Sequence, residues 1–265
     1  MGAKKAFTLV ELAIVLVIIG LLVGGVLVGQ NLIESAAIRT QTKQFADINA
    51  GANTFRLKYK ALPADISQTH SNQYGISPAS LGWPQRAENG YVDGYWSNNL
   101  ETWDFFPQLA GAGMITCVGC GPVWDFFTSS QFDAMFNASK IAPRGILHVY
   151  GGASPDNYAG VSIGSYGNNF IEICEARATG GGLPLTPQQA YGLDSKMDDG
   201  WPLTGVMTAT NACTADNWED YWRANRAPTS GAAGDPTCVS TDTTPNPYNV
   251  TSAMPACNLR LKASF

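Results

Sequence analysis

Charge is scarce in this 265-residue chain. Asp, Glu, Lys and Arg make up 14% of it, against roughly 25% in an average soluble protein. Yet 45% is hydrophobic, so the chain is not a disordered polyelectrolyte. A basic excess is missing too: Lys and Arg number 16 against 21 Asp and Glu, for a net charge of −5. That speaks against a nucleic-acid binder, which carries a basic footprint. Histidine occurs twice, at His70 and His148. Neither sits beside a nucleophile motif, and no P-loop or dinucleotide fingerprint occurs. Nothing marks an enzyme. Proline is absent from residues 1–62, although the chain holds 15. A very long helix is therefore permitted there.

What is present begins with an apolar run. Residues 7–28 hold a single charge, Glu11. At a rise of ~1.5 Å per residue they span ~33 Å, enough to cross a bilayer core. Lys4 and Lys5 precede the run, which puts residues 1–6 on the cytoplasmic side and the rest outside. A secretory signal has a shorter apolar core and an A-x-A-like cleavage site; Val28-Gly29-Gln30 offers none. Beyond Gly29, Phe45, Ile48, Ala52, Phe55 and Tyr59 recur at gaps of three and four. That is a one-sided helical stripe, and Pro63 ends it. The pattern predicts one helix over residues 7–59, apolar all round in its first half and amphipathic in its second. Within it, Glu11 stands out. A carboxylate at the bilayer centre costs ~2.5–3.5 kcal/mol, so it finds a partner or snorkels to the interface.

These residues carry a resemblance. Lys4-Lys5-Ala6 followed by Phe7-Thr8-Leu9-Val10-Glu11-Leu12 resembles the prepilin cleavage and methylation signal of type IV pilins and type II secretion pseudopilins. The resemblance implies cleavage by prepilin peptidase between Ala6 and Phe7, and methylation of the new Phe7 amine. It implies that Glu11 pairs with the Phe7 amine of a neighbouring copy and so sets register in a filament. Two departures are Ala6, where the family usually has Gly, and the lack of a proline inside the helix. Gly20, Gly24, Gly25 and Gly29 can still loosen the helix, since glycine weakens a helix interior.

Three segments follow: a leader over residues 1–6, a long helix over 7–60 with 7–28 as membrane anchor or filament core, and a head over 61–265. The stem from 29 to 60 carries five basic and two acidic residues, and the head nine basic and eighteen acidic. A basic stem thus lies under an acidic head. The implied fold is α+β and pilin-like: the long helix packs on a small antiparallel sheet with long loops. Residues 61–98 are rich in turn formers. Short helices are expected over 99–109, limited by Pro107, and over 130–139. Strands are expected over 146–150, over 169–174 as a half-buried strand, and over 203–209. Between the last two, Thr186-Pro187-Gln188-Gln189 has the form of a capping box with proline at the first helical position. Residues after 211 form a loop-rich tail. All seven tryptophans lie in the head and are expected to anchor its core.

Six cysteines, Cys117, Cys120, Cys174, Cys213, Cys238 and Cys257, fit an oxidising compartment. Cys117-Val118-Gly119-Cys120 lacks the βαβ context of a redox motif and the second pair of a zinc site, so a local disulfide is favoured. Six cysteines allow 15 connectivities; the pairing adopted is Cys117–Cys120, Cys174–Cys213 and Cys238–Cys257. The last resembles the disulfide-closed C-terminal loop of many pilins. The segment from Asp194 through Lys196, Asp198, Asp199 and Gly200 is similar to one in larger prepilin-type proteins. No cofactor is expected from motifs. Resemblance to major pseudopilins makes calcium the one ion to consider, at Asp194, Asp198 and Asp199; the alternative is an acidic helix end with a turn at Asp199-Gly200.

The function expected is structural: a pilus-like filament subunit of many identical copies, in the inner membrane as a single-pass protein before assembly. Afterwards it stands in an extracellular pilus or a periplasmic pseudopilus. Its partners are further copies, prepilin peptidase and the pilus or type II secretion assembly machinery. The rivals are a minor pilin or tip adhesin, a DNA-uptake pilin, and a type II secretion pseudopilin.

Overall fold

The computed structural model describes residues 8–76, 88–92, 101–117, 120, 136–143, 145–151, 168–175, 183–210, 238–240 and 247–265. Helix α1 runs unbroken over Leu9–Tyr59, ~77 Å at the standard rise. Thr8 is its N-cap, and Lys60, at φ 62°, is its left-handed C-cap. The stripe read from the sequence is the face it buries: Phe45, Ile48, Ala52, Phe55 and Tyr59 all lie within the core.

The head adds α2 (Gln68–Gln73), α3 (Glu101–Gly111), β1 (Asn137–Ala138), β2 (Gly145–Gly151), β3 (Asn169–Glu175), α4 (Pro187–Met197), β4 (Met207–Thr210) and β5 (Asn258–Lys262). The strands form one antiparallel sheet in the order β1-β2-β3-β5-β4. Alternation sends Leu147 and Val149, Ile171 and Ile173, Leu259 and Leu261, and Met207 and Ala209 to one face. With Phe105, Phe106 and Leu109 of α3 and Ala190 and Leu193 of α4, they close a single core on α1. The fold is α+β and pilin-like, a long helix with a small antiparallel sheet.

Several local expectations need correction. Residues 137–138, expected inside a helix over 130–139, form β1, because pairing with Leu147 and Ile146 overrides local propensity. The rest of that segment up to 135 lies outside the described residues. Helix α3 runs over Glu101–Gly111, two residues past the expected end at 109, so Pro107 does not limit it. Strand β3 is not half-buried: Phe170 and Glu172 on one face are as covered as Ile171 and Ile173 on the other. Residues 203–206 are loop, and β4 begins only at Met207. The tail is not loop to its end. Strand β5 sits inside the sheet between β3 and β4, and Ser264 beyond it donates its backbone N–H to Asn49 of α1 at 2.7 Å. Of the tryptophans, Trp103 packs on the core and Trp201 is exposed; the other five lie outside the described residues.

Candidate functional site

Two regions carry the candidate residues. The first is the apolar half of α1. Its large side chains from Leu9 to Ile33 are exposed on every side, and the helix is long and apolar enough to cross a membrane. Such a surface is not stable in water and needs lipid or other apolar helices around it.

The Glu11 carboxylate sits at the N-terminal end of that surface. Thr8 donates to Glu11 Oε2 twice, from its backbone N–H at 2.8 Å and from its hydroxyl at 2.9 Å. Glu11 N–H donates back to Thr8 Oγ1 at 3.3 Å. This reciprocal capping box satisfies two helix-end donors and places the negative charge at the positive end of the helix dipole. Both bonds fall on Oε2, and among the described residues no donor reaches Oε1. Ala6 and Phe7, the expected cleavage pair, lie outside the described residues.

The second region is the acidic end of α4. Here the sequence reading of the N-terminus holds: Thr186 accepts from Gln189 N–H, Gln189 reaches back to Thr186 N–H, and Pro187 opens the helix. At the other end, Asp194, Asp198 and Asp199 present ligand atoms within 4.8 Å of one another. Asp194 is fully buried. Its Oδ2 accepts the Tyr248 hydroxyl at 2.6 Å, and its Oδ1 accepts Gly200 N–H at 3.1 Å. Asp198 Oδ2 accepts Met207 N–H at 2.9 Å and also Val206 N–H. Asp199 accepts Trp201 N–H at 2.8 Å and the Thr204 hydroxyl at 2.6 Å.

Among these carboxylates it is Asp194 whose ionisation is opposed. Burial pushes the Asp194 carboxyl up to about 6; the Tyr248 and Gly200 hydrogen bonds lower it, while Asp199 and Asp198 raise it further. Asp199, exposed, is held below the usual carboxylate range by Thr204 and Trp201. Calcium asks for six to eight oxygens. Five of the six carboxylate oxygens here already accept hydrogen bonds, from six donors aimed into the cluster. These bonds fasten the loop after α4 to the end of the helix.

That fastening explains why β4 starts late. Asp198 takes the N–H groups of Val206 and Met207, so the chain folds back before it can pair. Gly205 is required, at φ +79°, because a Cβ there would collide with the Asp198 carboxylate. Tyr248 was not legible as part of this site, because it stands 54 residues from Asp194. A disulfide joins Cys238 to Cys257, with Cα atoms 4.9 Å apart. The segment it closes carries Tyr248, which forms an isolated bridge with Val239. Cys117 is bonded to Cys120. Cys174 is buried on β3, and its expected partner Cys213 lies outside the described residues.

Residues 1–27 match the family described as the prokaryotic N-terminal methylation motif, the prepilin signal of type IV pilins and pseudopilins. No curated protein and no solved structure matches the chain.

Proposed function

We infer that the chain is a structural subunit of a type IV pilus-like filament. The observation that carries this is the coincidence of the methylation motif over residues 1–27 with a helix whose apolar half is exposed all round. Together they support a type IV pilin-like or pseudopilin protein, and this kind of protein is structural rather than enzymatic. In this reading the helix anchors the precursor in the inner membrane. Prepilin peptidase removes residues 1–6 and methylates Phe7. The pilus or secretion machinery then moves the apolar half from lipid into a bundle of like helices, so the same apolar surface serves both stages. Glu11 receives the Phe7 amine of a neighbour.

Sheared surface filaments, imaged by electron microscopy and mapped by mass spectrometry, test the reading. The expected subunit begins at N-methylated Phe7. An intact Met1 in the filament protein overturns the processing step. The motif also heads type II secretion pseudopilins; filaments confined to the periplasm would select that variant. The acidic cluster serves here as a loop fastening rather than a calcium site. Accordingly, calcium leaves the melting temperature of the purified full-length protein unchanged, and a calcium-dependent rise would reverse that assignment.

A further inference from the structure

Two disulfides have both cysteines among the described residues, and they differ in reach and in exposure. Cys238 and Cys257 are separated by 19 residues and are 2% and 0% exposed. Cys117 and Cys120 are separated by 3, and both are part-exposed. A disulfide stabilises a fold by restricting the unfolded chain, and the gain grows with the loop it closes. The fold therefore does less to hold the Cys117–Cys120 bond shut than to hold Cys238–Cys257. Exchange also needs a thiolate to reach a sulfur atom. Burial denies that approach at Cys238–Cys257, and partial exposure allows it at Cys117–Cys120.

The pair follows a stretch that little else holds. Past the end of α3, the N–H groups of Ala112, Gly113 and Met114 still donate to Gln108, Ala110 and Leu109, at 2.9, 2.9 and 3.0 Å. Beyond them, Ile115 and Thr116 make no hydrogen bond among the described residues. Ile115 meets α1 by packing, where a Cβ on Gly51 would lie 3.0 Å from its Cγ2. Residues 113–116 line a groove of about 690 Å³, together with α1 and with Asn137, Ala138 and Lys140. The 138–140 part of that lining is bonded to α1. Gln44 Nε2 donates to Ala138 O at 2.8 Å, and Gln41 Oε1 accepts Lys140 N–H at 2.8 Å. The 115–116 part has no such bonds, and its nearest covalent tie is the disulfide at Cys117.

We propose that the Cys117–Cys120 disulfide is a thiol–disulfide exchange site, opened at Cys117 by an external dithiol, and that its opening releases residues 115–117 from the groove. Cys120 packs against the core, whereas Cys117 follows exposed Thr116, so attack falls on Cys117. A thiolate of the dithiol bonds to Cys117 Sγ. The Cys117–Cys120 bond breaks, and Cys120 leaves as a thiolate that takes up a proton. The second thiolate of the dithiol then attacks the reagent sulfur bound to Cys117, and Cys117 leaves in the same way. Two electrons have passed to the cysteine pair, and the dithiol has become a disulfide. This site goes beyond the filament function and does not depend on it.

Graded dithiothreitol on the full-length protein in detergent, followed by N-ethylmaleimide and peptide mass mapping, tests the site. Cys117 and Cys120 become labelled at a concentration at least about tenfold below that needed for Cys238 and Cys257, the difference that loop length alone supplies. Labelling of both pairs over one range, or of Cys238 and Cys257 first, overturns the site. Glutathione, with a single thiol, stops the reaction halfway: its adduct appears on Cys117 and the N-ethylmaleimide label on Cys120. The reverse placement overturns the direction of attack. Hydrogen exchange reads the groove. After selective reduction the amides of 115–117 exchange faster, while those of 138–140 keep their rate. Cys117→Ser combined with Cys120→Ser reproduces that pattern and lowers the melting temperature less than Cys238→Ser combined with Cys257→Ser. Unchanged exchange over 115–117 overturns the release, and a larger fall in melting temperature in the first variant overturns the weak hold of the fold on this bond.

Discussion

Tyr248 donates its hydroxyl to Asp194 Oδ2 at 2.6 Å across 54 residues of chain. The bond joins the end of α4 to the segment closed by the Cys238–Cys257 disulfide. It buries the phenol, and burial, with Asp194 next, raises the Tyr248 ionisation far above the ordinary tyrosine range. The tyrosine therefore remains a donor at any physiological pH.

Tyr248→Phe removes that donor and keeps the ring. A buried carboxylate oxygen then loses its partner, which costs about 1–3 kcal/mol. Chemical denaturation of the full-length protein in detergent should show a loss of this size. A change near zero would mean that the bond adds nothing net.

Two buried groups titrate in the same window with opposite signs. Asp194 has its carboxyl raised to about 6 from 3.8. Its protonated form is favoured by folding, so its contribution is full below about pH 4 and is lost as pH rises through 6. His148 is lowered to about 4 from 6.5 by burial. Its contribution is full above about pH 6.5 and is lost as pH falls through 4, on the order of 3 kcal/mol at the limit. Asp194→Asn should therefore make the melting temperature fall more steeply on acidification from pH 6.5 to 4. His148→Gln should make it fall less steeply, or rise. Identical pH profiles for the parent and both variants would refute both assignments.

Gly205→Ala places a Cβ against the Asp198 carboxylate at a positive φ. Both the strain and the displaced hydrogen bonds act, for an expected loss of about 1–3 kcal/mol. Gly75, also at positive φ but with nothing within 4 Å, serves as the control. Its alanine variant should cost clearly less in the same denaturation measurement.

Glu11→Ala deletes the carboxylate that Thr8 caps. Membrane insertion should remain, because removal of a charge favours the bilayer. Filament yield should fall, since the amine of the next copy loses its acceptor. Membrane fractionation and counts of sheared filaments read the two effects separately, and normal filament numbers would refute a role in assembly.

Helix α1 and the start of α4 were legible because their signals are local. Apolar period, a missing proline and the capping box at Thr186 act within four residues, the reach of a helical hydrogen bond. Strands β2 and β3 were legible from β-branched and aromatic runs between turn formers. Strand β5 was not. Its five residues, Asn258 to Lys262, include two cations and only two leucines. They form a strand because β3 and β4 supply partners on both sides. The loop over 203–206 failed for the converse reason. Its apolar residues read as strand until the Asp198 carboxylate took the Val206 and Met207 N–H groups.

Sequence alone thus determined the long apolar helix, the single charge within residues 7–28 and the methylation motif, because each lies in a contiguous stretch and needs no distant contact. Tertiary structure decided the rest. It brought β5 into the sheet interior, set Tyr248 on Asp194, and turned an apparent strand into a rigid loop with Trp201 and Leu203 outward. Each of these depends on groups remote in sequence meeting in space. Propensity, which reports only neighbours along the chain, carries no record of such meetings.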